Sequence, residues 1–76
     1  MMKAFVLIHG IPGSLPEIVR NLLRLDHVTE AHMTFGPYDV VAIVQAGDIK
    51  EMGHLIATQI QPIPGILDTM TCLVTE

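Results

Sequence analysis

One carboxylate in this sequence stands where it could do chemistry. Asp39 closes the stretch Phe35-Gly36-Pro37-Tyr38-Asp39 and is followed by Val40-Val41-Ala42-Ile43-Val44, a run that is apolar at both parities. A strand of that pattern is covered on both faces, so Asp39 marks where covered chain meets solvent. A carboxylate so placed can hold an ammonium group through a charge-assisted hydrogen bond. Gly36 lets a backbone approach without a Cβ in the way. His32 lies on the polar side of the preceding segment, close enough to the turn to touch a ligand, although an exposed surface histidine explains it better. These residue types make a binding turn and no catalytic group. The plain alternative is a tight hairpin with Asp39 as a solvated turn residue.

Other chemistry-bearing residues add little. Cys72 is the single cysteine, and no histidine stands near it in sequence to activate a thiolate. His9, His27, His32 and His54 never pair at a metal-ligand spacing, so neither a metal nor another cofactor is expected. Gly10-Ile11-Pro12-Gly13-Ser14 precedes a helix as a phosphate cradle would, but it lacks the lysine and the glycine spacing of a P-loop. The five methionines suit packing or an interface.

The elements that must position the turn follow from periodicity. Lys3 to His9 is β-rich and ends at a turn signal, which predicts a central strand. Ser14-Leu15-Pro16-Glu17 has capping-box spacing with a proline in the first turn. Leu15, Ile18, Val19, Leu22 and Leu23 then form one apolar stripe, predicting a helix that ends near Asp26-His27. Val28 to Phe35 alternates, with Ala31, Met33 and Phe35 opposite Glu30, His32 and Thr34, as in an edge strand. The short reversal at Gly36-Pro37-Tyr38 predicts an antiparallel return over Asp39 to Ala46. Asp48 is placed to cap a second helix with the stripe Ile49, Met52, Leu55, Ile56 and Ile60, weakened slightly by Gly53. Gln61-Pro62-Ile63-Pro64-Gly65 must break that helix. Ile66 to Val74 is the last strand, with Asp68, Met70, Cys72 and Val74 opposite Leu67, Thr69, Thr71 and Leu73.

The order βαββαβ predicts a ferredoxin-like α+β fold, a four-stranded antiparallel sheet with two helices on one face. Residues 1–76 make one domain, with no linker-like stretch. The first and third strands are nonetheless apolar at both parities, so the uncovered face is expected to bury against a second copy through a two-fold axis. Composition agrees: 50% hydrophobic residues and a mean hydropathy of +0.51 are high for so small a monomer. A formal net charge of −4 with four fixed cations argues against direct nucleic-acid binding. Ala4 to Ile8 is too short for a membrane span or signal core, so no membrane partner and a cytoplasmic location are expected, where a lone thiol stays reduced.

Taken in order, Ala4-Phe5-Val6-Leu7-Ile8, Gly36-Pro37-Tyr38-Asp39-Val40, the Asp48 helix, and Ile63-Pro64-Gly65-Ile66 leading to Thr69-Met70-Thr71 resemble the effector-binding domain of leucine-responsive and asparagine-responsive (Lrp/AsnC) regulators, also called the RAM domain. The resemblance runs over nearly the whole chain. Members usually carry an N-terminal helix-turn-helix domain, and this sequence opens on the first strand, so a stand-alone RAM protein without its own DNA-binding domain is expected. The resemblance implies an amino-acid effector held where dimers meet in a ring, with Gly36, Tyr38 and Asp39 beside it and Thr69 and Thr71 near it. It also implies a homodimer of the dimeric α+β barrel type, a higher ring of dimers, and full-length Lrp/AsnC regulators as partners. Asp39 would take the effector's ammonium, and threonine hydroxyls and turn amides its carboxylate.

Three alternatives stay open on sequence. An ACT domain, another amino-acid-binding module of the same element order, would place ligand at Gly13 in Ile11-Pro12-Gly13-Ser14-Leu15. A small dimeric α+β barrel enzyme would need an acid or base between helices and sheet, where both stripes here are aliphatic. An adaptor would assemble with full-length regulators and bind no effector.

Overall fold

The apolar run near the N-terminus forms β1 (Met2–Gly10) in the computed structural model, which describes residues 1–76. A 3-10 turn at Pro12–Ser14 leads into α1 (Leu15–Leu23), followed by β2 (Val28–Met33) and β3 (Val40–Ala46). Next come α2 (Ile49–Leu55), continued by a widened π turn at Ile56–Ile60, and β4 (Ile66–Leu73). All pairings are antiparallel and the sheet order is β2-β3-β1-β4, so β1 and β3 are central, as a ferredoxin-like fold requires.

The pleat decides which side chains are covered. Ala4, Val6 and Ile8 on β1 stand opposite Val44, Ala42 and Val40 on β3, and all are buried beneath Ile18, Leu22, Met52, Leu55 and Ile60 from the helical segments. Full burial of one such large aliphatic side chain contributes about 1.5 to 3 kcal/mol. The other parity of the same strands, Phe5, Leu7, Val41 and Ile43, faces away from the helices and stays partly exposed in a single copy. The uncovered apolar face expected from the two-sided hydrophobicity is therefore present.

Several local expectations are corrected. Ser14 is the last residue of the 3-10 turn, with helical φ −101° and ψ −3°, and its hydroxyl caps nothing; Glu17 pairs instead with Arg20. The first helix ends at Leu23, earlier than Asp26-His27, because the chain drops into turns in which Leu25 N–H donates to Leu22 O and Val28 N–H to Leu25 O. Leu23 and Ile49, assigned to the apolar stripes, are 54% and 61% exposed, since each lies at the rim of its helix. On β2 an extra residue at Thr29 breaks the alternation: Val28 pairs with Val44 and Glu30 with Ile43. That bulge turns both Val28 and Ala31 toward the core, whereas Met33 and Phe35 beyond them are exposed. Asp48 behaves as expected, its extended backbone placing the carboxylate to accept from Glu51 N–H at 2.8 Å.

Candidate functional site

The loop joining β2 to β3 does not end as a simple hairpin; it folds across the end of β1. Thr34 N–H donates to Asp39 O at 2.9 Å and its hydroxyl donates to Tyr38 O at 2.7 Å, which closes the loop on itself. Asp39 N–H donates to Ile8 O at 2.9 Å, extending the β1–β3 ladder past its last side-chain pair. Gly36 takes φ +147°, a value side chains rarely adopt, and nothing lies within 4 Å of where a Cβ would stand. The glycine thus serves the turn's backbone and not, within one copy, a close approach.

Asp39 is partly buried and half committed. Its Oδ2 accepts from Gly10 N–H at 3.0 Å, while Oδ1 has no protein partner. Beside it an open hollow of about 240 Å³ is lined by Leu15, Met33, Thr34, Phe35 and Asp39. Phe35 is fully exposed at the loop tip and Met33 is 54% exposed, so the hollow has an apolar rim and one anionic wall. A larger hollow, about 290 Å³, lies at the far end of the sheet near Met1, Asp26 and Gly47 and contains none of the loop residues.

On the open face, His9 fastens the loop to the neighbouring strand. Nε2 meets Pro37 O at 2.6 Å and Nδ1 meets Asp68 Oδ1 at 2.7 Å. The Tyr38 ring stacks on the imidazole, centroids 4.4 Å apart and planes 12° from parallel, and its hydroxyl donates to Met70 Sδ at 3.3 Å. The His9 pKa is raised above its ordinary value of 6.5, chiefly by the Pro37 carbonyl and then by the Asp68 carboxylate, with Asp39 adding a smaller attraction.

The six expected site residues fall into three places within one copy. Gly36, Tyr38 and Asp39 share the loop. Thr69 and Thr71 pair with Ile8 and Val6, which puts them on the helix side of edge strand β4, opposite Asp68 and Met70. Thr69 Oγ1 accepts from Gln61 Nε2 at 3.2 Å. His32 stands on the other edge strand, bonded to Glu30 at 3.0 Å, with β3 and β1 between it and the threonines. Sequence reasoning missed His9, Asp68 and Met70; the register that sets His9 opposite Asp68 would have found the first two. No group of three or more His, Cys, Asp or Glu side chains is gathered as a metal site would need. No helix is long and apolar enough to cross a membrane.

A family profile described as the Lrp/AsnC ligand binding domain matches residues 3–76. The HTH-type transcriptional regulator FL11 of Pyrococcus abyssi is 32% identical over 99% of this chain and 49% of its own length. The leucine-responsive regulatory protein of Haemophilus influenzae is 29% identical over 92% of this chain and 42% of its own. The chain thus spans about half the length, or less, of these relatives. Among solved structures, TTHA0845 from Thermus thermophilus superimposes with a TM-score of 0.94 at 30% identity, covering 100% of this chain and 95% of that one.

Proposed function

Because the chain belongs to the Lrp/AsnC ligand-binding domain family, we propose that it binds an amino-acid effector beside the Gly36–Asp39 loop and assembles into dimers and rings of dimers. Regulators of this family bind small-molecule effectors and oligomerise, and they are not enzymes. Membership displaces the ACT and barrel-enzyme alternatives.

The observation that carries the proposal is the state of Asp39. One carboxylate oxygen is held by Gly10 N–H, which fixes the group, and the other is free at the wall of an apolar hollow. That geometry suits an ammonium beside a short apolar side chain. A hollow of about 240 Å³ is small and open for a complete ligand site, so neighbouring copies complete it, bringing Thr69, Thr71 and His32. The leucine-responsive name of one relative supports an amino acid as the effector class.

A thermal-shift screen against the common amino acids, followed by light scattering with and without any hit, tests this. A binder at hundredfold excess over its dissociation constant stabilises by about 2.7 kcal/mol and raises the melting temperature accordingly. A screen in which no amino acid raises it would contradict the proposal and favour an adaptor that works with full-length regulators.

A further inference from the structure

We propose that His9 is the positioning residue of the loop site: its imidazolium ties Pro37 of the loop to Asp68 of β4, and loss of one proton breaks one end of that tie. Pro37 O can only accept, so Nε2 must carry a hydrogen, and the exposed Asp68 carboxylate also accepts, so Nδ1 must carry one too. Both contacts, at 2.6 and 2.7 Å, are short in the way of hydrogen bonds from a charged donor. Neutral imidazole has one N–H and can satisfy only one of the two acceptors.

The groups facing the ring are few. Asp68 faces it from β4, Tyr38 and Asp39 approach from the loop, and no cation lies among its bonded partners. Every nearby charge therefore favours the protonated form, and deprotonation breaks one of the two side-chain contacts His9 makes, to Pro37 of the loop or to Asp68 of β4, while the backbone ladders remain. Tyr38 leans on the same ring and bonds to Met70, so its position follows His9, and Asp39 is the next residue in the chain. The consequence for effector binding rests on the loop being the binding site; the fastening itself does not.

Tyr38 is the only tyrosine and there is no tryptophan, so intrinsic fluorescence reports this contact alone. In the intact protein without ligand, a titration from about pH 5 to about pH 9, below phenol ionisation, is expected to show one transition with a midpoint above 6.5. The transition vanishes in His9→Gln, and in Asp68→Asn, which leaves the ring in place, its midpoint moves down. A flat titration, or a midpoint unmoved in Asp68→Asn, overturns the proposal even if His9→Gln fails to fold. Repeating the amino-acid screen near both ends of the range adds a second arm. Stabilisation by a bound amino acid is expected to shrink at high pH in the wild type and to lose that pH dependence in His9→Gln. Equal stabilisation at both ends would overturn His9 as the site's positioning residue. A screen with no binder would sink the effector assignment, and the fluorescence titration would still decide the fastening.

Discussion

At Asp39 one carboxylate holds the backbone with one oxygen and leaves the other unengaged, so two substitutions separate its duties. Asp39→Ala removes both the acceptor for Gly10 N–H and the charge; it should lower stability and weaken an amino-acid ligand about tenfold to a hundredfold, given roughly 1.5 to 3 kcal/mol for a hydrogen bond to a charged group. Asp39→Asn keeps an acceptor for Gly10 and should leave melting nearly unchanged while calorimetry still shows weaker binding. Unchanged affinity in the asparagine variant would remove the charge from the site. His9 gives a pH dependence of stability with a definite sign. Because the folded pKa is raised, its contribution is fully present below 6.5 and fades as pH climbs through the folded value. Melting temperature should fall over that window in the wild type and fall less in His9→Gln. Asp39 was legible because a lone carboxylate before an apolar run is a local pattern. His9 was not, because its partners lie 28 and 59 residues away and meet it only through strand register and a loop crossing.

At the level of single elements, two similar cap signals had different fates. Asp48 sits in extended geometry, φ −152° and ψ 177°, and caps Glu51 N–H, while Ser14 is helical and caps nothing. An N-cap side chain reaches the free amides only from the extended region. Asp48→Ala should therefore cost about 1 kcal/mol in chemical denaturation, and Ser14→Ala should cost little. The 3-10 turn is the cause, and no spacing rule announces it. At Gly65 the physics is equally local: φ is +97° and a Cβ would stand 2.6 Å from Ser14 Cβ. Gly65→Ala should destabilise by more than about 1 kcal/mol. Bulges also hid from pattern analysis. Thr29 adds one residue to β2 and reverses the parity of what precedes it, which alternation alone cannot express.

For the molecule as a whole, period-two apolarity on both parities of β1 and β3 carried the most information. One parity packs under the helices and the other forms the open face of Phe5, Leu7, Val41 and Ile43. Ile43→Asp should leave helix content unchanged by circular dichroism and shift light scattering from dimer to monomer, because a carboxylate would be buried unpaired against a second copy. An unchanged mass would rule that face out. The sheet plan was legible because it follows from element order and periodicity. The proposed effector site was only partly legible, because its expected residues lie on two faces and two edges of one copy, and no local pattern says which of them would meet. The most direct test is chemical-shift mapping on the intact protein as amino acids are titrated. Perturbations centred on Gly36, Tyr38 and Asp39, with Thr69 and Thr71 following, are the expected result. Shifts confined to the turn around Gly13, or none for any amino acid, would contradict it.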